Sequence, residues 1–195
     1  MILSAFRRRH HNRNIHGLYG AIVAQARLTT FYTRYGVSDS VDGRFELIVL
    51  HLVLVLRRLG GEQTAGPTQG SRRQGSPRAA ARIGQQLFDV FCRDLDDNLR
   101  EMGVGDLAVP RKMRTFGEAF YGRQAAYSAA LGATDDRELE KALARNIFGL
   151  AETDENAARL ARYARATVES LSGEAEDALL AGKVMFPSPE VFADG

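Results

Sequence analysis

The most hydrophobic part of the chain is the run FELIVLHLVLVL at Phe45–Leu56, which is apolar at nearly every position and is bounded by arginines. As a helix these twelve residues reach only about 18 Å, whereas the hydrocarbon core of a bilayer is about 30 Å thick. The run therefore cannot span a membrane by itself. A strand buried on both faces and a helix buried all round both fit it, because the run has no polar face from which a period could be identified.

Residues on either side of this run favour the helix. Asp42 stands where a capping residue is expected, and leucines recur through the segment at helical spacings. Two arginines that suit the negative end of a helix dipole come just before Gly60-Gly61, a pair that supplies a stop. We predict a central helix from Asp42 to Leu59.

Apolar residues spaced by three and four predict further amphipathic helices on both sides of the central one. Ser76-Pro77 opens the clearest pattern, which continues to Met102, and Pro110 opens another that ends at Leu131-Gly132. The other predicted helices are Ile15–Thr30, Asp135–Phe148, Asp154–Leu171 and Gly173–Ala181, with Thr134, Thr153 and Ser172 as caps. The predicted fold class is all-α, a multi-helix domain around a central apolar helix.

Length and composition indicate one folded domain with frayed ends. The chain has 195 residues, of which 45% are hydrophobic, enough for one sizeable core. We predict a basic flexible tail at residues 1–14, a single helical domain at 15–182 and an extended C-terminal tail at 183–195. Residues 60–77 are predicted to be a mobile loop, because their polar and glycine-rich composition cannot offset the entropy of ordering them.

Positive charge is concentrated near the amino terminus, although the formal net charge of the chain is only +2. No acidic residue precedes Asp39. A basic field of this kind suits anionic lipid head groups, RNA or an acidic partner, and a solvated tail is the alternative. The arginines that form it, and that we predict as an anchor for anionic membranes, are Arg7, Arg8, Arg9, Arg13, Arg27 and Arg34.

The sequence offers few groups for catalysis or for binding a metal. It contains no glycine fingerprint between a strand and a helix, no CxxC, no HExxH and no Glu-x-x-His pair. His51 is predicted to be a hydrogen-bonded core histidine, and Cys92 to be a small core residue rather than a nucleophile. The carboxylates between Asp94 and Glu101 fit a solvated helix face. We expect no catalytic residue, no metal and no cofactor.

Two long parts of the chain carry a family resemblance. They are LDDNLREMGVGDLAVPRKMRTFGEAFYGRQAAY at Leu95–Tyr127, and LYGAIVAQAR with FYTRYGVSDSVDGRFELIVLHLVLVLRRL between Leu18 and Leu59. Both stretches resemble the ubiquinol–cytochrome c chaperone family, which comprises assembly factors of the respiratory cytochrome bc complex. The resemblance covers roughly Leu18 to Leu150.

In its mitochondrial members this resemblance implies a helical chaperone that handles newly made cytochrome b, works beside a second small assembly factor and meets the ribosome at the membrane. For this chain it implies a noncatalytic chaperone, peripheral at the cytoplasmic side of the inner membrane, or in the matrix if the chain is eukaryotic. An RNA-associated or ribosome-associated module and a small-molecule enzyme are the alternative functions.

The client-binding surface is predicted where two amphipathic helices meet around Gly103–Asp106. A groove between such helices suits an amphipathic client helix. Packing of about half of its side chains against the central helix is the alternative, because a helix with an apolar stripe usually buries that stripe. The residues predicted to line the groove are Leu107, Val109, Phe116, Phe120 and Tyr121.

Overall fold

The computed structural model describes residues 2–60 and 77–193, with side chains for residues 13–60 and 79–193. The regular elements in these ranges are helical, which confirms the all-α prediction. The predicted mobile loop at 60–77 lies outside the described residues, apart from its two end positions. In chain order the elements are α1 Ile2–Ala26, α2 Thr29–Thr33, α3 Val41–Gly60, α4 Pro77–Glu101, α5 Val109–Gly132, α6 Arg137–Leu143, a π-helical turn Ala144–Phe148, α7 Glu155–Gly173, α8 Glu176–Leu180 and a 3₁₀ turn Pro189–Phe192.

Helix α3 lies at the centre of the fold, as predicted, and packs against α1, α4, α5 and α7. Its residues from Val49 to Val55 are all buried. Because neighbours cover it on every side, the helix needs no polar face, which explains the continuous apolar run. No helix among the described residues is long and apolar enough to cross a membrane.

The directions of α3, α4 and α5 follow from their side-chain contacts. The Phe45 ring lies 6.2 Å from the Phe91 ring and 4.9 Å from the Phe116 ring, centroid to centroid. At the other end of α3, a Cβ built on Gly84 of α4 would contact Leu56, so α4 runs antiparallel to α3. Helix α5 runs back alongside α3, and the connection between α4 and α5 therefore lies at the end of the bundle where α3 begins.

The predicted bounds of the first helix, Ile15 and Thr30, were wrong at both ends. The backbone is helical from Ile2, so residues 2–14 belong to α1 and not to a structureless tail. Arginine has a high helix propensity, and neither glycine nor proline interrupts this segment. The helix ends at Ala26 because Leu28 has an extended backbone, with φ −61° and ψ 130°, before the short helix α2.

Helix caps come from residues next to the predicted ones. Ser40, not Asp42, caps α3 by accepting a hydrogen bond from the Gly43 amide at 3.1 Å. Asp154, not Thr153, caps α7 by accepting from the Ala157 amide at 2.8 Å. Neither Thr134 nor Ser172 caps a helix: the N-cap residues of α6 and α8 are Asp136 and Ala175, and neither makes a side-chain cap bond.

The C-terminal segment is packed against the domain and is not the extended tail that was predicted. Residues 183–193, here called the C-terminal strap, end in the 3₁₀ turn, where Pro189 and Ala193 are buried. The Tyr35 hydroxyl donates to the Pro189 carbonyl at 2.6 Å. Gly182, just before the strap, has φ +80°, and a Cβ there would lie 2.3 Å from the Asn14 carbonyl oxygen, so only glycine lets the chain pass α1 this closely.

Candidate functional site

A buried polar network lies beneath the C-terminal strap. The Tyr163 hydroxyl bonds to His51 Nε2 at 2.8 Å, and Gln25 Nε2 donates to the same hydroxyl at 2.9 Å. Gln25 also donates to the Pro187 carbonyl at 3.2 Å, and the Phe186 ring lies 5.4 Å from the imidazole. The network therefore joins α1, α3, α7 and the strap.

The protonation state of His51 follows from its two partners. Its Nδ1 lies 2.7 Å from the Leu47 carbonyl, which can only accept, so Nδ1 carries the proton and Nε2 accepts from Tyr163. Burial lowers the pKa of His51 to about 4, and the hydrogen bond to the Leu47 carbonyl opposes this shift only in part. Burial raises the pKa of Tyr163 above its usual value. Both groups are neutral at pH 7. The prediction of a hydrogen-bonded core histidine is confirmed.

An ion pair that is mostly buried connects the start of α3 to the middle of α5. Both nitrogens of the Arg123 fork donate to the carboxylate of Glu46, a bidentate arrangement that fixes orientation as well as distance. Burial raises the pKa of Glu46, although Arg123 opposes the shift. The pair holds α3 and α5 in register.

Side chains of the types that catalyse reactions or bind metals are dispersed in the described part of the chain. No cluster of three histidine, cysteine or carboxylate side chains is placed to hold a metal ion there. Asp94 accepts from the Tyr19 hydroxyl at 2.8 Å, and the neighbouring Asp97 and Glu101 point into solvent. Cys92 is half-buried against the core, and burial raises the pKa of its thiol, the opposite of what activates a nucleophile.

The five residues predicted to bind a client differ in exposure. Val109 and Phe120 are buried, so both assignments to an open groove were wrong; the Phe120 ring packs against Phe88 and Phe91 of α4. Phe116 is half-buried against Phe45. Leu107 and Tyr121 are on the surface, with 99% and 58% of their areas exposed.

The predicted anchor arginines do not form a single patch. Arg7, Arg8 and Arg9 lie on the part of α1 whose side chains are not described, and Arg13 and Arg27 are exposed further along. From Arg7 to Arg27 the distance along the helix is about 30 Å, at 1.5 Å per residue. Arg34 lies beyond α2, exposed, with its carbonyl bonded to Arg159.

A second basic surface was missed at the start of α5. It consists of Arg111, Lys112 and Arg114, which are exposed. The signal was present in the sequence, since the first turns of this helix contain three cations and no acid. It was overlooked because the excess of charge at the amino terminus is larger.

These features define an all-helical protein. Its buried polar groups hold the helices together, and its surface carries exposed apolar side chains and exposed cations. The family model described as ubiquinol-cytochrome C chaperone matches residues 33–186 of the chain. The chain belongs to the ubiquinol-cytochrome C chaperone family.

The fold agrees with that of a solved structure, described as the crystal structure of the Cbp3 homolog from Brucella abortus. The two chains are 35% identical and superpose with a TM-score of 0.80, over 97% of this chain and 98% of the other. A search of curated proteins gave no significant match.

Proposed function

We propose that this protein is a noncatalytic assembly chaperone that binds newly made or unassembled cytochrome b during assembly of the respiratory cytochrome bc complex. The observation that carries the proposal is the exposed aromatic side chain of Tyr121, within the region that matches the family model. The work of such a chaperone is to cover apolar client segments, and this needs an accessible apolar surface rather than a catalytic group.

The client surface proposed here is centred on Tyr121, with Phe88 beside it. The Phe88 and Tyr121 rings lie 5.8 Å apart, across the seam between α4 and α5. The buried Phe120 ring also lies 5.6 Å from the tyrosine ring, so Phe88 and Phe120 fix that ring, while the half-buried Phe88 leaves an apolar edge accessible. An aromatic ring held in this way offers a large contact area at a low cost in conformational entropy. A client helix can lie along this seam.

Contact with the membrane surface is the second part of the proposal. Two exposed arginines, Arg13 on α1 and Arg27 directly after it, favour a peripheral location against anionic head groups. We place the protein on the cytoplasmic side of the inner membrane, or in the matrix if the chain is eukaryotic. A second small assembly factor and the ribosome are its further proposed partners.

Deletion of the gene, followed by spectra of b-type and c-type haems in membranes, tests the function. We expect cytochrome b to fall and soluble enzyme activities to stay unchanged. Complementation with Tyr121→Ser should recover less cytochrome b, because a polar side chain loses the aromatic contact, while the melting temperature stays within about 2 °C. Val191→Ser changes another exposed apolar residue and should complement fully.

Two results would contradict the proposal. A normal amount of cytochrome b in the deletion strain would contradict the proposed assembly role. Equal complementation by Tyr121→Ser and Val191→Ser would contradict the assignment of the client surface to Tyr121. Turnover of a small molecule by the purified protein would favour the enzyme alternative, and steeply salt-dependent affinity for RNA would favour the RNA-binding one.

A further inference from the structure

The connection between α4 and α5 presents apolar side chains to solvent at one end of the bundle. Leu107 is 99% exposed, and Met102, at the end of α4, is 56% exposed. The segment is nevertheless held in shape, since the Val104 amide donates to the Leu99 carbonyl at 3.0 Å and the Ala108 amide to the Gly105 carbonyl at 2.8 Å. We call residues 102–114 the α4–α5 tip. Together, Leu107 and Met102 place two exposed apolar side chains on one ordered turn.

The tip projects beyond the first residue of α3, the helix that packs against both α4 and α5. Phe45, Phe91 and Phe116 lie at one level of the bundle, where their rings meet. From this level α3 extends about 6 Å toward its start at Val41, whereas α4 extends about 15 Å and α5 about 10 Å in the same direction. Leu107 is therefore at an apex and not in a groove.

Cations with no ion pair surround this apex. Arg111, Lys112 and Arg114 make no salt bridge among the described residues. The acid beside Leu107, Asp106, is paired with Arg100 at 2.5 Å. Glu101, the last residue of α4, is an exposed acid just before the tip. A helix N-terminus disfavours cations in its first turn, so Arg111 and Lys112, near the start of α5, lie where the helix dipole alone disfavours them.

We propose that the α4–α5 tip is a membrane-docking element. Leu107 and Met102 enter the boundary between head groups and acyl chains, and Arg111, Lys112 and Arg114 bind the head groups of anionic lipids. This inference rests on the membrane-side location proposed above and assigns it to a surface other than the α1 arginines. A flexible aliphatic side chain at an apex suits a fluid bilayer, whereas RNA would offer nothing to Leu107.

Tryptophan fluorescence provides a direct test, because the chain contains no tryptophan. Leu107→Trp places one at the apex, and Met185→Trp places one at a site that is 73% exposed on the C-terminal strap. Each full-length variant is titrated with vesicles of phosphatidylcholine alone and with vesicles that also contain phosphatidylglycerol. We expect a blue shift for Trp at position 107 with anionic vesicles only, and none for position 185.

Charge variants distinguish the contribution of the tip to vesicle binding from that of the α1 arginines. Replacing Arg111, Lys112 and Arg114 by glutamine should weaken binding of the protein to anionic vesicles about 100-fold, at about five-fold for each cation. A matched variant with Arg7, Arg8 and Arg9 replaced by glutamine should weaken it less. The melting temperature of the tip variant should equal that of the parent, because none of the tip cations makes an ion pair with another described residue.

Three outcomes would overturn the assignment. They are equal blue shifts at positions 107 and 185, a larger loss of binding in the α1 variant than in the tip variant, and tip cations that bind RNA or a protein partner but not vesicles. Because the deletion experiment does not involve the tip, each of these results leaves the assembly function standing.

Discussion

The hydrogen bond between Tyr163 and His51 should contribute measurably to the stability of the fold, and Tyr163→Phe tests this. The substitution removes one oxygen from a fully buried side chain and leaves its ring contacts with Phe31 and Tyr35 in place. It leaves His51 Nε2 buried with no donor, and it removes one of the two acceptors of Gln25.

The expected loss follows from these partners. A buried polar atom left without a partner costs about 1–3 kcal/mol, and Gln25 keeps its bond to the Pro187 carbonyl, so we expect a total near 2 kcal/mol. For a chain of this size that lowers the melting temperature by about 4–8 °C. Tyr127→Phe is the matched control: Tyr127 is also fully buried, but its hydroxyl makes no hydrogen bond of ordinary geometry among the described residues. Its loss should shift melting by less than about 2 °C.

Thermal unfolding followed by circular dichroism, with urea titration for free energies, measures both effects. A double-mutant cycle that combines Tyr163→Phe with His51→Leu isolates the pairwise term, which should be at least about 1 kcal/mol. Equal losses in the two tyrosine variants, or a coupling energy indistinguishable from zero, would refute the view that this network holds the strap and the helices together.

Two further predictions concern other parts of the fold. The pKa of His51 falls to about 4 in the folded protein from 6.5 in the unfolded chain, so His51 takes up a proton more readily when unfolded and stability should fall by about 3 kcal/mol as the pH drops from 6.5 to 4. Urea titrations across this range should show a smaller fall for His51→Gln, and equal slopes would contradict the assignment. Gly43→Ala should destabilise by about 1–3 kcal/mol, because its Cβ would lie 2.0 Å from the Ser38 carbonyl oxygen, whereas Gly122→Ala, in open space on α5, should be neutral or stabilising in the same melting assay. A loss in the second variant as large as in the first would contradict this.

The helices could be predicted from the sequence because their signals are local. Pro77 and Pro110 mark the starts of α4 and α5 to within one residue, and the run around Leu50 places α3. Each signal depends on residues within one or two turns, where spacing and capping chemistry act directly.

Features that depend on distant parts of the chain could not be predicted in this way. The strap folds back because Tyr35 and Gln25, more than 150 residues earlier, donate to its carbonyls. Val109 and Phe120 have the same apolar character as Leu107, yet the tertiary fold buries these two and leaves Leu107, in the turn before α5, exposed. A linear pattern gives the face of a helix, but not which neighbour covers it.

The two proposed surfaces also constrain each other geometrically. If Leu107 enters the head-group region, α5 leads away from the membrane, and Tyr121 lies about 18 Å further along that helix. The client surface then sits above the bilayer and is not immersed in it, at a height suited to an apolar segment that has not yet been inserted. A protein docked through the α1 arginines would present the seam between α4 and α5 at another angle. The depth of a fluorophore at position 107, compared with that of one at position 121, therefore tests the orientation that joins both proposals.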